Sequence, residues 1–398
     1  MVLKSEIELA YTLQQKMQPN KSFIKRLYLD NIRYKDPHIE VISGIRRCGK
    51  STLLNQIMKK FEKTAFFNFE DPRIFGFDLG DFQKLDEIMG DNIDAYFFDE
   101  VQSVDKWEIF VRQIHNKNKK VFITGSNATM LSKDLGTRLT GRHIRHELFP
   151  FSYKEYLKYK KLPDNSKSYE LYIKEGGMPE FLRDANPEIL QTLLRDIVFR
   201  DISVRYNIKN TKTLMDLTLY LLSNIGKEFS FNSLKKQFSV GSASTISDYL
   251  SWLEDAYLFF YLPRFSWSSK NMSVNPRKVY AIDTGLVQSN SLSFTEDKGR
   301  LLENAIFLYL KQKSYKIFYF REKVECDFVI FDNDKLKMLV QVCNELHPDN
   351  KDREINGLLN AMNFFDSKEG YIITLKTKDK LKFDNKIIHI LPANEFCK

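Results

Sequence analysis

The sequence predicts an α/β protein whose N-terminal part is a doubly wound parallel sheet, on three observations. Five short apolar runs, at 39–43, 65–69, 95–98, 121–124 and about 144–148, alternate with longer stretches of helical character, as strands joined by crossovers do. A glycine-punctuated loop at 44–51 follows the first run directly and leads into Leu53, Leu54, Ile57, Met58 and Phe61, which share one face of a helix. After about residue 300 the alternation resumes, with a helix at 300–313, strands near 315–321, 326–332 and 338–343, a helix near 354–365 and a strand at 371–375.

Ahead of the first strand, Leu3, Ile7, Ala10, Leu13 and Met17 recur at helical spacing and predict a docked N-terminal helix. From Tyr153 to about Asn224 the pattern is helical, interrupted at Gly176-Gly177 and Pro179. Segments 214–225, 231–238 and 242–256 then read as three short helices, and 257–265 with 274–282 as a two-strand hairpin, which together suggest a winged helix. The expected organisation is therefore a core with its N-terminal helix at 1–150, a helical lid or connector at 151–211, a winged-helix domain at 212–290 and a further α/β domain at 291–398.

At 398 residues the chain is too long for one ordinary core, and 43% hydrophobic with 28% charged residues is a globular composition. No apolar run approaches the ~20 residues that span a bilayer. The start is mixed polar, without the apolar stretch of a signal peptide. Cys48, Cys326, Cys343 and Cys397 form neither a close pair nor a metal-ligand spacing, which suits a reducing compartment. The expectation is a soluble, cytoplasmic protein that does not engage a membrane. The net charge of +9 permits an acidic partner. Residues 301–398 carry 16 Lys and Arg against 15 Asp and Glu, which is not a densely basic nucleic-acid-binding domain.

The loop 44–51 reads Gly-Ile-Arg-Arg-Cys-Gly-Lys-Ser and matches G-x-x-x-x-G-K-[ST], between a strand and a helix as a phosphate-binding P-loop requires. Gly44 and Gly49 let the backbone of Ile45, Arg46, Arg47 and Cys48 curl so that its N–H groups point into a phosphate-sized nest. The helix beginning at Ser51 and Thr52 aims its positive end at the same oxygens. Lys50 brings charge to the β- and γ-phosphates, and Ser51 offers a hydroxyl to Mg²⁺. The strand at 95–98 runs into Asp99 and Glu100. Asp99 is placed to hold the Mg²⁺ opposite Ser51, and Glu100 to orient or deprotonate an attacking water. The pair favours ATP hydrolysis, with ATP and Mg²⁺ as cofactors.

The strand at 121–124 ends in Gly125-Ser126-Asn127. Asn127, with Ser126 second, is the candidate sensor of the γ-phosphate; the alternative is a residue capping the next helix. Arg138 and Arg142, in Thr137-Arg-Leu-Thr-Gly-Arg142, are candidates for the guanidinium that stabilises the transferring phosphoryl group, in cis or from a neighbouring copy. Either can equally be a surface arginine near a turn. His143 and His146 read as structural, not as metal ligands.

The 44–51 loop, Phe67-Asn-Phe-Glu-Asp71, Phe98-Asp-Glu-Val-Gln102, Thr124-Gly-Ser-Asn127, Leu139-Thr-Gly-Arg142, Pro150-Phe-Ser152, Gly176-Gly-Met-Pro-Glu180 and Asp283-Thr-Gly-Leu286 occur in that order. This series resembles a large bacterial and archaeal family of AAA-superfamily ATPases with a C-terminal domain of unassigned function, over nearly the whole chain from about Phe23. The resemblance implies an AAA-type P-loop ATPase core, a winged-helix segment and a domain similar to the restriction-endonuclease fold.

The helix from Ser242, which would read DNA in a winged helix, contains no Lys or Arg, which weakens sequence-specific reading of the major groove. The hairpin carries Arg264, Lys270, Arg277 and Lys278 with no acid, beside Phe265 and Trp267, and such a wing suits a phosphate backbone or a single strand. The other possibility is a domain used for protein contacts alone. In the C-terminal domain the nuclease-like candidates are Glu303, Asp327, Gln341 and Glu354. Where such a site needs a lysine two residues after the strand's acid, Gln341-Val-Cys343 offers a thiol, and Lys335, Lys337 or Arg353 would have to substitute. The domain is expected to be inactive or very slow as a nuclease; the alternative is that these polar groups only cap and pair within the domain. The sequence thus points to an ATP-driven switch or motor on DNA or a DNA-bound partner, as a homo-oligomer. Its rivals are an ATP-dependent nuclease and a signalling or scaffold ATPase without nucleic acid.

Overall fold

The computed structural model describes residues 1–16, 24–127, 141–292 and 297–398. They fall into two compact units, Met1–Phe149 with Asp255–Tyr257, and Pro150–Glu254 with Leu258–Lys398.

The first unit is built on five strands, β1 (Ile39–Ser43), β2 (Thr64–Asn68), β3 (Ala95–Asp99), β4 (Lys120–Gly125) and β5 (His143–Glu147). They form an all-parallel sheet in the order β2-β3-β4-β1-β5. This is the kind of sheet that the resemblance to AAA-type P-loop ATPases implies. A parallel sheet covered on both faces needs apolar residues in succession, and β1 and β3 are buried at every position. One face carries α1 (Lys4–Lys16), α3 (Asp81–Met89) and α4 (Trp107–Asn116), whose Ile7, Leu85 and Phe110 join Val41, Phe67 and Phe98 in one core. On the other, Leu54 and Ile57 of α2 (Lys50–Met58) are fully buried, and Phe61, just after α2, packs edge-on against Phe97 and Phe122. Arranged this way, the C-terminal ends of β1, β3 and β4 stand side by side.

The second unit opens with helices at Tyr153–Lys160, Ser166–Glu175, Pro179–Asp184 and Pro187–Asp196, the last continuing into a wider turn at Ile197–Val204. Helices Thr211–Leu222, Phe231–Gln237 and Ala243–Asp255 follow. A three-stranded antiparallel sheet accompanies them, β6 (Glu228–Phe229), β7 (Phe259–Pro263) and β8 (Arg277–Ala281), in the order β6-β8-β7. The connection between β7 and β8 holds a short helix, Ser269–Val274, where an extended strand was expected from Val274; Ser268 caps it by accepting from the Asn271 N–H.

Beyond this, six strands form a mixed sheet in the order β13-β14-β12-β11-β10-β9. They are β9 (Lys316–Arg321), β10 (Glu325–Asp332), β11 (Lys335–Val342), β12 (Glu369–Thr374), β13 (Asp379–Phe383) and β14 (Lys386–Pro392). The helix Pro348–Phe364 buries Ile355, Leu358 and Met362 in a core with Val329, Leu339 and Ile372. Helix Lys298–Gln312 buries Leu302 and Ile306, and its Phe307 stacks on Tyr280 at 4.3 Å.

The turn residues flagged in the sequence meet here. Helix Ser166–Glu175 ends at Gly176, whose φ of 74° a side chain would strain, and a Cβ on Gly177 would stand 2.2 Å from the Phe151 carbonyl oxygen. Gly177 donates its N–H to the Asp283 carboxylate at 2.6 Å, and Asp283 also accepts from Leu286 N–H at 2.9 Å as cap of helix Thr284–Asn290. These two motifs therefore hold one junction. No helix among the described residues is long and apolar enough to cross a membrane. The four cysteines are buried and unpaired.

Candidate functional site

The loop 44–51 joins β1 to α2 and is shaped by its glycines. A Cβ on Gly44 would lie 2.2 Å from the Leu148 carbonyl oxygen, and Gly49 has φ 100°. A residue the sequence reading missed supports the loop from behind. Buried Arg26 donates to the Cys48 carbonyl and to the Phe149 carbonyl, each at 2.7 Å. Nothing marks it in sequence, where it follows another basic residue, Lys25, and both acceptors are backbone atoms far along the chain.

Lys50 is buried and donates to the Gly44 and Ile45 carbonyls at 3.2 and 3.3 Å, with Glu100 Oε1 3.4 Å away. Asp99 ends β3 and is only 2% exposed. Its carboxylate accepts from the hydroxyls of Thr124 and Ser51. Burial, and then the neighbouring Glu100 charge, push the Asp99 carboxyl up to about 6. For Glu100 burial also works upward, but Lys50, the hydrogen bond from Gln102 and Arg46 outweigh it and hold the carboxyl below its usual range. Lys50 is the mirror case: burial lowers it, and Glu100 and Asp99 more than restore it. Two adjacent acids are thus set apart, one ready to take a cation and one ionised beside an ammonium.

Glu100 has φ 51°, the left-handed region, and its N–H is held by Thr124 Oγ1 at 3.0 Å. Gln102 donates to Glu100 Oε2 at 2.5 Å and reaches Ser126 Oγ at 3.4 Å. Thr124 and Gln102 are therefore further members of the site. The residues fit Mg²⁺: a hydroxyl and a carboxylate already in contact, at a helix N-terminus, are the hard oxygen donors this ion takes beside a phosphate. Asn127 is buried just beyond the end of β4, the strand between β1 and β3. Arg46 pairs with Glu70 at 3.2 Å, Arg47 is exposed, and Thr52 lies in α2.

Arg138 lies outside the described residues. Arg142 does not stand with this group. Its carbonyl accepts from Ile39 N–H and its guanidinium meets Asn116 Oδ1 at 3.1 Å, which puts it beside the start of β1, the end opposite Gly44. Five strand residues at ~3.3 Å each leave it roughly 16 Å from the loop, so it cannot serve its own chain's phosphate site. His146 pairs with Glu40 inside the sheet, as a structural residue would.

In the second unit the four basic residues of the expected wing behave differently from one another. Lys270 is exposed on the short helix Ser269–Val274, and Trp267 beside it is 76% exposed. Arg264 is half-buried and donates to the Arg321 carbonyl, while Arg277 lies over the Phe231 ring at 5.5 Å. Lys278 corrects the sequence reading outright. It is only 2% exposed, and its Nζ lies 3.0 Å from Glu303, 2.8 Å from Glu325 and 2.9 Å from Asp327. A nucleic-acid phosphate cannot reach it. Counting charge along the hairpin missed this because the acids come from 25 and 49 residues away in sequence.

The four nuclease-like candidates are brought together, and all are buried. Asp327 Oδ2 accepts from Val342 N–H at 2.9 Å, Gln341 Oε1 accepts from Asp327 N–H at 3.1 Å, and Gln341 Nε2 donates to Glu354 at 2.7 Å. Tyr280, two residues along β8 from Lys278, donates to Glu303 at 2.6 Å. Arg353 pairs with Glu354. The substitutes Lys335 and Lys337 are exposed at the start of β11, and Cys343 is a buried thiol raised to about 12 by burial and by Glu354.

Residues 36–157 match a family described as "AAA domain", and residues 166–297 a domain of unknown function. The chain is 37% identical over 388 residues to "Uncharacterized protein MJ1544" of Methanocaldococcus jannaschii, spanning 89% of this chain and 87% of that protein. It is 31% identical over 389 residues to an uncharacterized protein of Haemophilus influenzae, spanning 90% and 95%. Among solved structures, AMPPCP-bound DnaA from Aquifex aeolicus matches with TM-score 0.29 at 13% identity, over 64% of this chain and 89% of that one. The chain belongs to the AAA-type P-loop ATPase family that includes MJ1544.

Proposed function

We propose that the chain hydrolyses ATP to drive a switch or motor acting on DNA or a DNA-bound partner, with a C-terminal nuclease-like domain that does not cut. One observation carries the catalytic part: Lys50, Ser51, Asp99 and Glu100 converge at the C-terminal ends of β1 and β3. In this reading the 44–51 backbone and Lys50 bind the phosphates, displacing the Gly44 and Ile45 carbonyls that Lys50 now contacts. Ser51 and Asp99 would hold Mg²⁺, which when bound neutralises phosphate charge. Glu100, held by Thr124 and Gln102, orients the water and takes its proton, and Asn127 senses the γ-phosphate. Any arginine acting on the phosphoryl group comes from Arg138 or from another copy, which makes a homo-oligomer part of the proposal.

The DNA part rests on the middle segment. Three short helices with an antiparallel sheet in the order β6-β8-β7 support a winged helix whose β7–β8 connection is the wing. Exposed Trp267 and Lys270 there can stack on a base and neutralise a phosphate. A mixed sheet flanked by Lys298–Gln312 and Pro348–Phe364, with buried acids on both the helices and a strand, supports the nuclease-like reading. The scaffold alternative is favoured by the engagement of Arg264, Arg277 and Lys278 inside the fold, which leaves the wing less basic than its sequence.

ATP turnover should be measured with and without single- and double-stranded DNA while the DNA is followed for cleavage with Mg²⁺ or Mn²⁺. Stimulation without cleavage supports the proposal. Turnover indifferent to DNA favours the scaffold, and cleavage lost in Asp327→Ala favours an ATP-dependent nuclease.

A further inference from the structure

In the nuclease-like reading, acids from a helix and two strands hold a divalent metal, and two of those three positions keep their acid. Here those are Glu303, on helix Lys298–Gln312, and Asp327, on β10. The point between them is taken by an atom of this chain. Lys278 Nζ bridges Glu303 Oε1 at 3.0 Å and Asp327 Oδ1 at 2.9 Å, with Glu325 Oε1 at 2.8 Å completing its surroundings. We infer that Lys278 is a built-in cation that replaces the metal, so that the cluster takes up no divalent ion. This rests on reading the C-terminal domain as nuclease-like, and deepens it by giving its inactivity a cause.

Several features separate a replacement cation from a displaced catalytic lysine. Lys278 donates to Glu303 and to Asp327, and the Glu325 carboxylate stands 2.8 Å from the same ammonium, so its charge is met by three acids of this chain and turned away from any water or phosphate. A catalytic lysine needs one donor free for the attacking hydroxide. The side chain is only 2% exposed, with its Nζ 5.8 Å from the centre of the Tyr319 ring, so no phosphate can approach it. A divalent ion at this point would need the same Glu303 and Asp327 oxygens at ~2.0–2.1 Å, and would face the ammonium at close range.

The acceptors are committed as well. Asp327 Oδ2 takes the Val342 N–H, Glu303 Oε1 also takes the Tyr280 hydroxyl, and Glu354 is shared by Gln341 and Arg353. Gln341, where a third acid would add charge for a metal, instead uses its amide to join Asp327 to Glu354. The acids and the amide of the cluster are thus each engaged by groups of this chain. Lys278 belongs to β8 of the three-stranded sheet, whereas its acids belong to the neighbouring helix and mixed sheet. The cation therefore also ties these two sheets of the second unit together.

The test is Mn²⁺ titration of the full-length, nucleotide-free protein, following free Mn²⁺ by electron paramagnetic resonance. Wild type and Asp327→Asn should bind Mn²⁺ identically. Lys278→Ala and Lys278→Gln should each gain one site, at least about tenfold tighter than any wild-type binding, that a second change Asp327→Asn removes. Lys278→Arg, which keeps the charge, should gain none. Glutamine keeps two donors for the buried acids, so it decides the question if the alanine variant does not fold. An Asp327-dependent Mn²⁺ site in the wild type would overturn the inference, as would a folded Lys278→Gln that gains no site. The parent reading fails separately: a wild type that binds no Mn²⁺ at Asp327 yet cleaves DNA sinks the inactive domain, whereas one that binds Mn²⁺ there and cleaves nothing sinks only the role of Lys278.

Discussion

Replacing Asp99 by asparagine should make the ATPase core more stable while removing its Mg²⁺-dependent turnover. The carboxyl is 2% exposed beside Glu100, and rises from an ordinary 3.8 to about 6. At ~1.36 kcal/mol per pH unit, keeping it ionised at pH 8 costs the folded state about 3 kcal/mol. The sign follows from an acid whose folded value is raised. The stability it contributes by holding its proton is fully present below 3.8 and is lost as pH rises through about 6. The asparagine side chain carries no charge and can still accept the Thr124 and Ser51 hydroxyl protons, although its amide N–H₂ finds no assured acceptor. The expected gain at pH 8 is therefore about 1–3 kcal/mol, falling by about half at pH 5 and vanishing below about pH 4. The assay is thermal unfolding across this pH range, reading the transition that a non-hydrolysable ATP analogue moves in the wild type. An Asp99→Asn protein no more stable than wild type at pH 8, or a difference that does not change with pH, would refute the argument.

Lys50→Ala should abolish nucleotide binding by equilibrium titration, because its ammonium meets ground-state phosphates, whereas Glu100→Gln should keep binding and lose about 10²–10⁴ in turnover. Comparable turnover in Glu100→Gln and wild type would remove Glu100 from its role. Arg26→Ala strands two buried carbonyls and should cost about 2–3 kcal/mol in urea unfolding, with weakened nucleotide binding. Trp267→Ala with Lys270→Ala should weaken single-stranded DNA binding at low salt by about 1–3 kcal/mol per unstacked base, while Lys278→Arg changes it little. Equal affinity in the double variant and wild type would discard the wing as the contact.

The first sheet was legible because its signals are local. Each of its strands begins within a residue of the expected apolar run, and the 44–51 loop carries its function in eight adjacent residues. Asp99 and Glu100 were legible for the same reason. What escaped depends on partners distant in sequence. Arg26 reads as one of several basic residues until the Cys48 and Phe149 carbonyls are beside it. Lys278 reads as part of a basic hairpin because the hairpin contains no acid, and its burial follows only when helix Lys298–Gln312 and β10 fold against β8. β13, Asp-Lys-Leu-Lys-Phe, is an exposed edge strand whose charges discourage further pairing and also hide the strand from a hydrophobic reading. The helix at 269–274 was missed because Ser268, its cap, looks like any loop serine.

The Asp283 carboxylate governs how this chain can be taken apart. It fixes Gly177, 106 residues earlier, and caps the helix that follows it. A fragment beginning near residue 212 keeps the carboxylate and loses the Gly177 N–H, leaving a buried acid short of a donor. One ending near 211 loses the carboxylate and leaves that N–H bare. Dissection at the boundaries the sequence suggests would therefore yield unstable pieces. A cut near residue 150, with the second unit kept whole, is the division that preserves this contact.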